Sequence, residues 1–290
     1  MSELEIKKIN AGEKNYPGRL KEIKDAPEIL YYQGEIKHCE NCFAIVGTRR
    51  SSNYGKQVAL EIAGDLAEAG LTIVSGLAPG IDTFCHQAAL ERNKRTIAVL
   101  GTGLDEKSIY PQSNLKLARK ILETGGCLIS EYPPGTRGTQ FTFPQRNRII
   151  SGISLGVLVI EAKQKSGALI TAHYAFSQKR KVFAIPGSIH SPNSKGCHFL
   201  IKKGAKLVEN ANDILLELNL PLKELSSFYE GESEEENLIL GVLKEEGLDV
   251  DKIIEKTKLS VAKVASTLAI LEIKGKVRNL GGNIYAISTR

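Results

Sequence analysis

The residues with the most evident chemistry lie in one short segment, residues 141–150, which reads Phe-Thr-Phe-Pro-Gln-Arg-Asn-Arg-Ile-Ile. Guanidinium groups bind phosphates through paired hydrogen bonds, and aromatic rings stack on nucleobases. Phe143, Arg146, Asn147 and Arg148 therefore predict a site for an anionic polymer that carries bases. The two arginines would also suit ion pairs between neighbouring helices, and the segment alone leaves both interpretations open.

Positive charge is concentrated around and after this segment. The sequence has 39 Lys and Arg against 33 Asp and Glu, a formal charge of +6. Residues 141–206 contain eleven cations and one acid, Glu161, which gives +10 there and −4 elsewhere. Concentrated charge of one sign indicates an anionic partner, and a solvated face without a partner is the alternative. We interpret Glu161 as a partner of Arg146 or Arg148 in preference to a catalytic base.

Loops rich in glycine follow several apolar segments. They include Gly47-Thr48-Arg49-Arg50, Ser75–Asp82 and Gly101-Thr102-Gly103. Glycine lets the backbone approach a phosphate closely, although tight turns after strands need glycine as well. The first loop does not spell G-x-G-x-x-G, and no G-x-x-x-x-G-K-[ST] occurs, so no nucleotide cofactor is expected. The pair Cys39 and Cys42 has the spacing of half a zinc site without a second pair, and no metal is expected either.

The elements that must position these loops alternate regularly along the chain. Short, continuously apolar strands are predicted between helices of 10–15 residues, which indicates a parallel sheet covered on both faces. The predicted fold class is α/β, a Rossmann-like, doubly wound, mostly parallel sheet with a small C-terminal winged-helix-like domain. The strands are predicted at Phe43–Val46, Leu71–Val74, Thr96–Leu100, Cys127–Ser130, Val157–Glu161 and Lys181–Ile185.

Composition divides the chain into four predicted parts. Residues 1–40 are polar and turn-rich and are predicted as a lead-in segment, and residues 41–218 form the core. Residues 219–233 are acidic and predict a linker. Residues 234–290 predict three helices and a terminal hairpin around Gly281-Gly282.

The C-terminal part is a poor candidate for reading duplex DNA. It has nine cations and nine acids, and its third helix, Ser260–Glu272, carries Lys263 as the only cation. A helix that enters the major groove normally presents several cationic or amide side chains. We predict that this part makes protein contacts, or weak DNA-backbone contacts through Lys274, Lys276 and Arg278.

Two compositional features concern location. No apolar run reaches the roughly 18 residues of a membrane span, and the polar start is not a signal peptide. The five cysteines are odd in number and scattered. They predict reduced thiols and a cytoplasmic location, with no membrane partner.

Four ordered motifs resemble those of the DNA-processing protein A family, also called DprA or Smf. They are Ala44–Arg49, Ser75–Asp82, Phe143–Arg148 and Ser166–Ala172. The resemblance covers about residues 16–215, and the C-terminal part is similar to the small domain that many members carry. The helical domain common at the N-terminus of the family is expected to be absent from this sequence.

The resemblance implies a non-catalytic, dimeric protein that binds single-stranded DNA. Members of the family protect incoming DNA in natural transformation and help to load the RecA recombinase in recombination. Carried over to this sequence, Arg49 would hold a phosphate, Phe143 would stack on a base or wedge beside it, and Asn147 would bond a base or orient an arginine. The full set of implied DNA contacts is Gly47, Arg49, Arg50, Phe143, Arg146, Asn147, Arg148, Lys163, Lys165, Ser166, Gly167 and Thr171. The apolar residues Leu200, Ile201, Leu207 and Val208 are candidates for a homodimer interface or, equally, for the core.

Two other functions remain in competition. A nucleotide hydrolase on a Rossmann-like fold would use Glu161 near Arg148, but the P-G-G-x-G-T-x-x-E signature of such enzymes is missing. A winged-helix regulator would use the core as a ligand sensor, and the neutral third helix argues against it.

Overall fold

The computed structural model describes residues 5–222, 231–243 and 247–287. The chain divides into two compact units, Met1–Lys223 and Glu224–Arg290, each with its own core. The linker predicted for residues 219–233 lies mostly outside the described residues.

The first unit contains nine strands and eight α-helices among its described residues. Its strands are β1 Lys7–Asn10, β2 Ile29–Gly34, β3 Cys42–Val46, β4 Thr72–Ser75, β5 Thr96–Leu100, β6 Cys127–Ser130, β7 Gly156–Val159, β8 Lys181–Ala184 and β9 Lys206–Leu207. Its helices are α1 Gly18–Lys21, α2 Asn53–Glu68, α3 Ile81–Glu91, α4 Leu115–Glu123, α5 Thr142–Gly152, α6 Gly167–Ser177, α7 Lys195–Lys202 and α8 Ala211–Glu217.

All nine strands form one sheet in the order β1-β2-β6-β5-β4-β3-β7-β8-β9. Along this order, every pair of neighbouring strands from β6 across to β9 is parallel. The pairs β1-β2 and β2-β6 are antiparallel. The six strands predicted from apolar runs are all present, with ends shifted by one or two residues. The predicted Rossmann-like, mostly parallel fold is confirmed.

The predicted lead-in segment needs a correction. Its residues 7–10 and 29–34 form β1 and β2, and β2 pairs with β6 from Tyr31↔Ser130 to Gly34↔Cys127. The segment therefore extends the sheet of the core. Its polar composition follows from its place at the sheet edge, where Lys7, Lys8 and Asn10 are exposed.

Alternate residues of each central strand enter cores on opposite faces of the sheet. Phe43 and Ile45 pack with α2 and α3, while Ala44 and Val46 pack with α5 and α6. Side chains of a strand point alternately to the two faces, so a strand covered on both faces must be apolar throughout. This is why β3 is buried at all five positions.

The strand order reverses between β3 and β7. From β3 the chain proceeds through β4 and β5 to β6 on one side, and β7 then continues on the other side of β3. Loops that leave neighbouring strands in opposite directions open a crevice at their carboxyl ends, where ligands of this fold class bind. The crevice lies between the loops after β3 and β7.

The second unit is a small helical domain with a three-stranded antiparallel sheet. Its elements are α9 Glu234–Leu243, β10 Leu248–Asp249, α10 Val250–Thr257, α11 Val261–Ile273, β11 Val277–Asn279 and β12 Ile284–Ile287. The hydroxyl of Ser260 accepts from Lys263 N and caps α11. Val264, Leu268 and Leu271 on one face of α11 enter the core. Three helices and a β-hairpin wing give the predicted winged-helix fold.

No described helix of either unit is long and apolar enough to cross a membrane.

Candidate nucleic-acid interface

A cleft of about 850 Å³ opens at the reversal point of the sheet. Its walls come from the loops after β3, β5, β6 and β7 and from the first turns of α5 and α6. Eleven of the twelve predicted contact residues line the cleft, and Arg148 is the exception. The sequence motifs therefore converge on one site.

The loop after β3 is fixed from two sides. Thr48 N donates to the backbone oxygen of Glu161 over 2.8 Å, and Thr48 O accepts from Ile81 N over 3.3 Å. Gly80 has φ +79°, and a Cβ there would overlap Thr48 O. Only glycine suits both this conformation and this close approach. The backbone that carries Arg49 is thus set before any ligand arrives.

Glu161 holds the same loop from the side of β7. Its carboxylate accepts from Ser52 N over 2.9 Å, from Ser52 Oγ over 2.6 Å and from Asn193 Nδ2 over 3.3 Å. Asn193 Nδ2 also lies 3.3 Å from Arg50 O. The predicted pairing of Glu161 with Arg146 or Arg148 was wrong, because the acid is used to anchor the start of α2.

Four exposed cations face the cleft from its two long walls. Arg49 and Arg50 follow β3, while Lys163 and Lys165 follow β7. Within the described part of the chain, none of the four takes part in an ion pair. Ser166 caps α6 beside them by accepting from Ala168 N. An unneutralised cluster of this kind attracts an anionic ligand.

Arg146 was predicted to contact the ligand, and it lines the floor of the cleft, where it is almost fully buried. Only 4% of the residue is exposed. Nη1 donates to Gly76 O over 2.8 Å and to Val99 O, and Nε donates to Asn147 Oδ1 over 3.2 Å. Burial lowers the pKa of the guanidinium to about 10, although the nearby Asp82 carboxylate opposes the shift. Arg146 is therefore charged at neutral pH and joins α5 to the ends of β4 and β5.

Two buried groups lie next to Arg146. Asp82 accepts from Gly76 N over 3.0 Å and from Ala78 N over 3.4 Å, and burial raises its pKa despite Arg146 and these amides. His86 Nδ1 lies 2.7 Å from Thr96 Oγ1, and burial, with Arg146 nearby, lowers its pKa to about 3. His86 is therefore a packed, neutral histidine.

Arg148 is a structural residue outside the cleft, which corrects the prediction for it. Its Nη1 and Nη2 lie 3.0 and 2.5 Å from the two carboxylate oxygens of Glu131, and Nε lies 3.1 Å from Asp25 Oδ2. The alternative that the sequence left open, an arginine bridging neighbouring elements, therefore applies to Arg148. It ties α5 to the lead-in segment.

Asn147 connects the two helices that border the cleft. Its Oδ1 accepts from Arg146 Nε, and its Nδ2 donates to Gly167 O over 3.3 Å. Its side chain thus orients an arginine, one of the two roles that the resemblance implied. Because both ends of its amide are in use, Asn147 fixes the distance between α5 and the start of α6.

Phe143 is half-buried in a narrow slot. A Cβ at Gly101 would lie 2.9 Å from Phe143 Cδ1, and a Cβ at Gly138 would overlap Phe143 Cζ. The Arg49 guanidinium lies over the ring at 5.6 Å from its centroid, and the ring of Tyr110 lies at 5.6 Å with a tilt of 45°. The sequence analysis missed Tyr110. Tyr110 lies in the loop after β5 and so at the same edge of the sheet as the other loops. The glycines of this loop lie only at its start and therefore did not indicate Tyr110.

Comparisons with known proteins agree on one family. Residues 7–219 match the model described as DNA recombination-mediator protein A, and residues 229–283 match the model described as DprA winged helix domain. The chain is 41% identical to Protein Smf of Escherichia coli strain K12, over 94% of this chain and 75% of that protein. It is 47% identical to DNA processing protein DprA of Streptococcus pneumoniae, over 70% of this chain and 71% of that protein.

Two solved structures are similar as well. The X-ray structure of DprA from Streptococcus pneumoniae has a TM-score of 0.68 and 43% identity, and the match covers 76% of each chain. DprA from Helicobacter pylori has a TM-score of 0.66 and 30% identity, with 75% of this chain and 97% of that chain covered. The latter structure concerns the single-stranded DNA binding mode of that protein.

Replacing Arg146 should destabilise the fold, although the residue lies beside the cleft. In Arg146→Ala the carbonyls of Gly76 and Val99 lose their donor, and each buried acceptor left unpaired costs about 1–3 kcal/mol. We expect a loss of at least about 2 kcal/mol in the free energy of unfolding, measured with urea. Arg49→Ala, at an exposed position of the same cleft, should stay within about 0.5 kcal/mol of the parent. Equal midpoints for the two variants would contradict the structural role of Arg146.

Proposed function

This chain belongs to the DNA recombination-mediator protein A family, and on that premise we propose that it binds single-stranded DNA in the cleft without catalysing a reaction. The observation that carries the proposal is the juxtaposition of four unpaired cations with two aromatic rings in one cleft. Cationic grooves with stacking platforms are the general solution for binding single strands of any sequence. The single-stranded DNA binding mode of the Helicobacter pylori relative supports the same ligand.

The cations and the aromatic side chains of the cleft contact different parts of the strand. Arg49 and Arg50 on one wall and Lys163 and Lys165 on the other contact phosphates, which fixes the path of the strand between them. Bases turn toward the aromatic side of the cleft, where Phe143 is held in place. Because the loop after β3 is anchored by Glu161 and by the start of α3, the arginines need little reorganisation on binding.

A catalytic role is poorly supported by the acids near the cleft. Both carboxylate oxygens of Glu161 accept hydrogen bonds from Ser52 or Asn193. Asp82 is buried and accepts from two backbone amides. Neither carboxylate is placed as a general base with access to a substrate, which favours a binding protein over a nucleotide hydrolase.

The partners implied by the family extend this proposal. Binding of a single strand would protect it and present it to the RecA recombinase, in the cytoplasm, during natural transformation or other recombination. A homodimer would form along α7 and β9, where Phe199 is 51% and Leu207 is 44% exposed. Leu200 and Val208, also predicted at this interface, are buried and belong to the core.

The winged-helix unit is proposed to contact protein more than DNA. Lys263 Nζ lies 2.8 Å from Glu235, and Lys274 Nζ lies 2.8 and 2.7 Å from Glu232 and Glu236. Acids of the same unit thus neutralise two of its lysines, one of them a predicted DNA-backbone contact. Arg278 is exposed on β11.

The affinity for single-stranded DNA should depend on salt to a degree set by the four cations. With about four phosphates neutralised, the slope of log K against log salt is about −2.8, or roughly a fiftyfold loss between 50 and 200 mM salt. Arg49→Ala should weaken binding and reduce the slope by about 0.7. Fluorescence anisotropy with a labelled oligonucleotide, single-stranded and duplex, measures both quantities. A flat salt series, or tighter binding of the duplex, would overturn the proposal.

Two glycines of the first unit provide a matched test of the slot around Phe143. Gly138→Ala adds a methyl group that overlaps the ring and should displace it, so we expect binding at least about fivefold weaker, within the range that loss of one stacking contact allows. Gly12 lies outside the lining of the cleft, and a Cβ added there has no atom within 4 Å. The control Gly12→Ala should therefore bind as the parent does. Anisotropy measures both variants, and equal affinities would contradict the role of the slot.

The winged-helix proposal predicts a small effect for Arg278→Ala. Because the acids of this unit neutralise Lys263 and Lys274, loss of one further cation should change single-strand affinity less than twofold. The same anisotropy series measures it beside Arg49→Ala. A loss as large as that of Arg49→Ala would show that the unit is part of the DNA site.

A further inference from the structure

Tyr110 is the exposed aromatic residue of the cleft. It lies in the loop after β5, is 52% exposed and lines the cleft. Within the described part of the chain its hydroxyl makes no hydrogen bond. A large, partly apolar side chain in this setting has an uncovered ring surface that faces the ligand.

The geometry excludes a base between Tyr110 and Phe143. Their ring centroids are 5.6 Å apart and the planes are tilted by 45°. A base inserted between two rings needs roughly 7 Å, twice the ~3.4 Å spacing of stacked bases. The two rings therefore act as one unit, and a base can only stack on an outer surface of it.

Phe143 has little outer surface to offer. Gly101 and Gly138 close the slot at its edges, and the Arg49 guanidinium lies over the ring. Tyr110 leans against this fixed ring and has the larger exposed area. The two rings therefore differ in role, because Phe143 is held tightly and supports Tyr110, whose ring is exposed.

We propose that Tyr110 supplies the main base-stacking surface of the cleft and that Phe143 acts largely as a positioning residue for Tyr110 and Arg49. The inference rests on the proposed binding of single-stranded DNA and names the residue that recognises the bases. A ring face accepts any base, so the contact is tolerant of sequence. It also selects single strands, because a base within a duplex has both faces covered by its neighbours.

The test compares Tyr110→Leu with Tyr110→Phe on two ligands. One ligand is a labelled oligothymidylate and the other is an abasic oligomer of the same length, which keeps the phosphates and lacks the bases. Tyr110→Leu should bind oligothymidylate about 5- to 100-fold more weakly and the abasic strand equally well. Tyr110→Phe should match the parent on both strands, and the salt slope should not change in either variant.

A matched control is Phe176→Leu, which removes an exposed ring at the far end of α6. It should leave both affinities unchanged. Binding of oligothymidylate by Tyr110→Leu within twofold of Tyr110→Phe would overturn the inference while the proposed function stands. An equal loss on the two strands would also overturn it, because that pattern indicates damage to the phosphate site. If the parent chain bound neither strand, the proposed function and the inference would both fail.

The supporting role of Phe143 has its own readout. In a double-mutant cycle, the losses of affinity for oligothymidylate caused by Phe143→Leu and Tyr110→Leu should be strongly non-additive. The double variant should bind about as tightly as the single variant with the lower affinity. Additive losses would overturn the supporting role and show that each ring stacks on its own base.

Discussion

The position of the cleft depends on one buried guanidinium. Arg146 leaves α5 on one face of the sheet and donates to carbonyls at the ends of β4 and β5. A cation in this position is stable because it donates to buried backbone carbonyls and because the Asp82 carboxylate favours its charge. α5 also carries Phe143 and Asn147, so Arg146 also sets the position of the aromatic slot and of the contact with α6. The side chains that line the cleft are thus held in place by the sheet.

The fold could be predicted because its central strands are short runs of mostly apolar residues, the pattern of a sheet covered on both faces. The strands β1 and β2 could not be predicted in the same way. Lys7-Lys8-Ile9-Asn10 of β1 lies at a solvated sheet edge, and the pairing of β2 with β6 is not encoded locally. Polar composition and turn residues indicated a loop, and the tertiary contact with β6 decided otherwise.

The sequence predicted that the candidate residues would converge, since loops at strand ends meet in any parallel sheet, but it did not predict the contacts of Arg146, Arg148 and Glu161. Arg146 and Arg148 are two positions apart on a helix, and such residues project in nearly opposite directions. They cannot both face one cleft, and in the structure each is used to join elements of the fold. Glu161 was predicted to pair with Arg146 or Arg148, but its carboxylate accepts from Ser52 at the start of α2. Tyr110 carries no local signal, because its importance comes from its contact with Phe143, 33 positions later in the chain.

The two edges of the nine-stranded sheet are protected unequally. At one edge β1 presents Lys7 and Lys8 to solvent, and lysines on an edge strand discourage pairing with another chain. At the other edge β9 is two residues long and exposes Leu207. A sheet with only one edge available for pairing can add a strand from a single partner, and it then has no free edge from which to grow. If this chain associates through β9, the assembly would therefore stop at a pair and would not continue into a fibre.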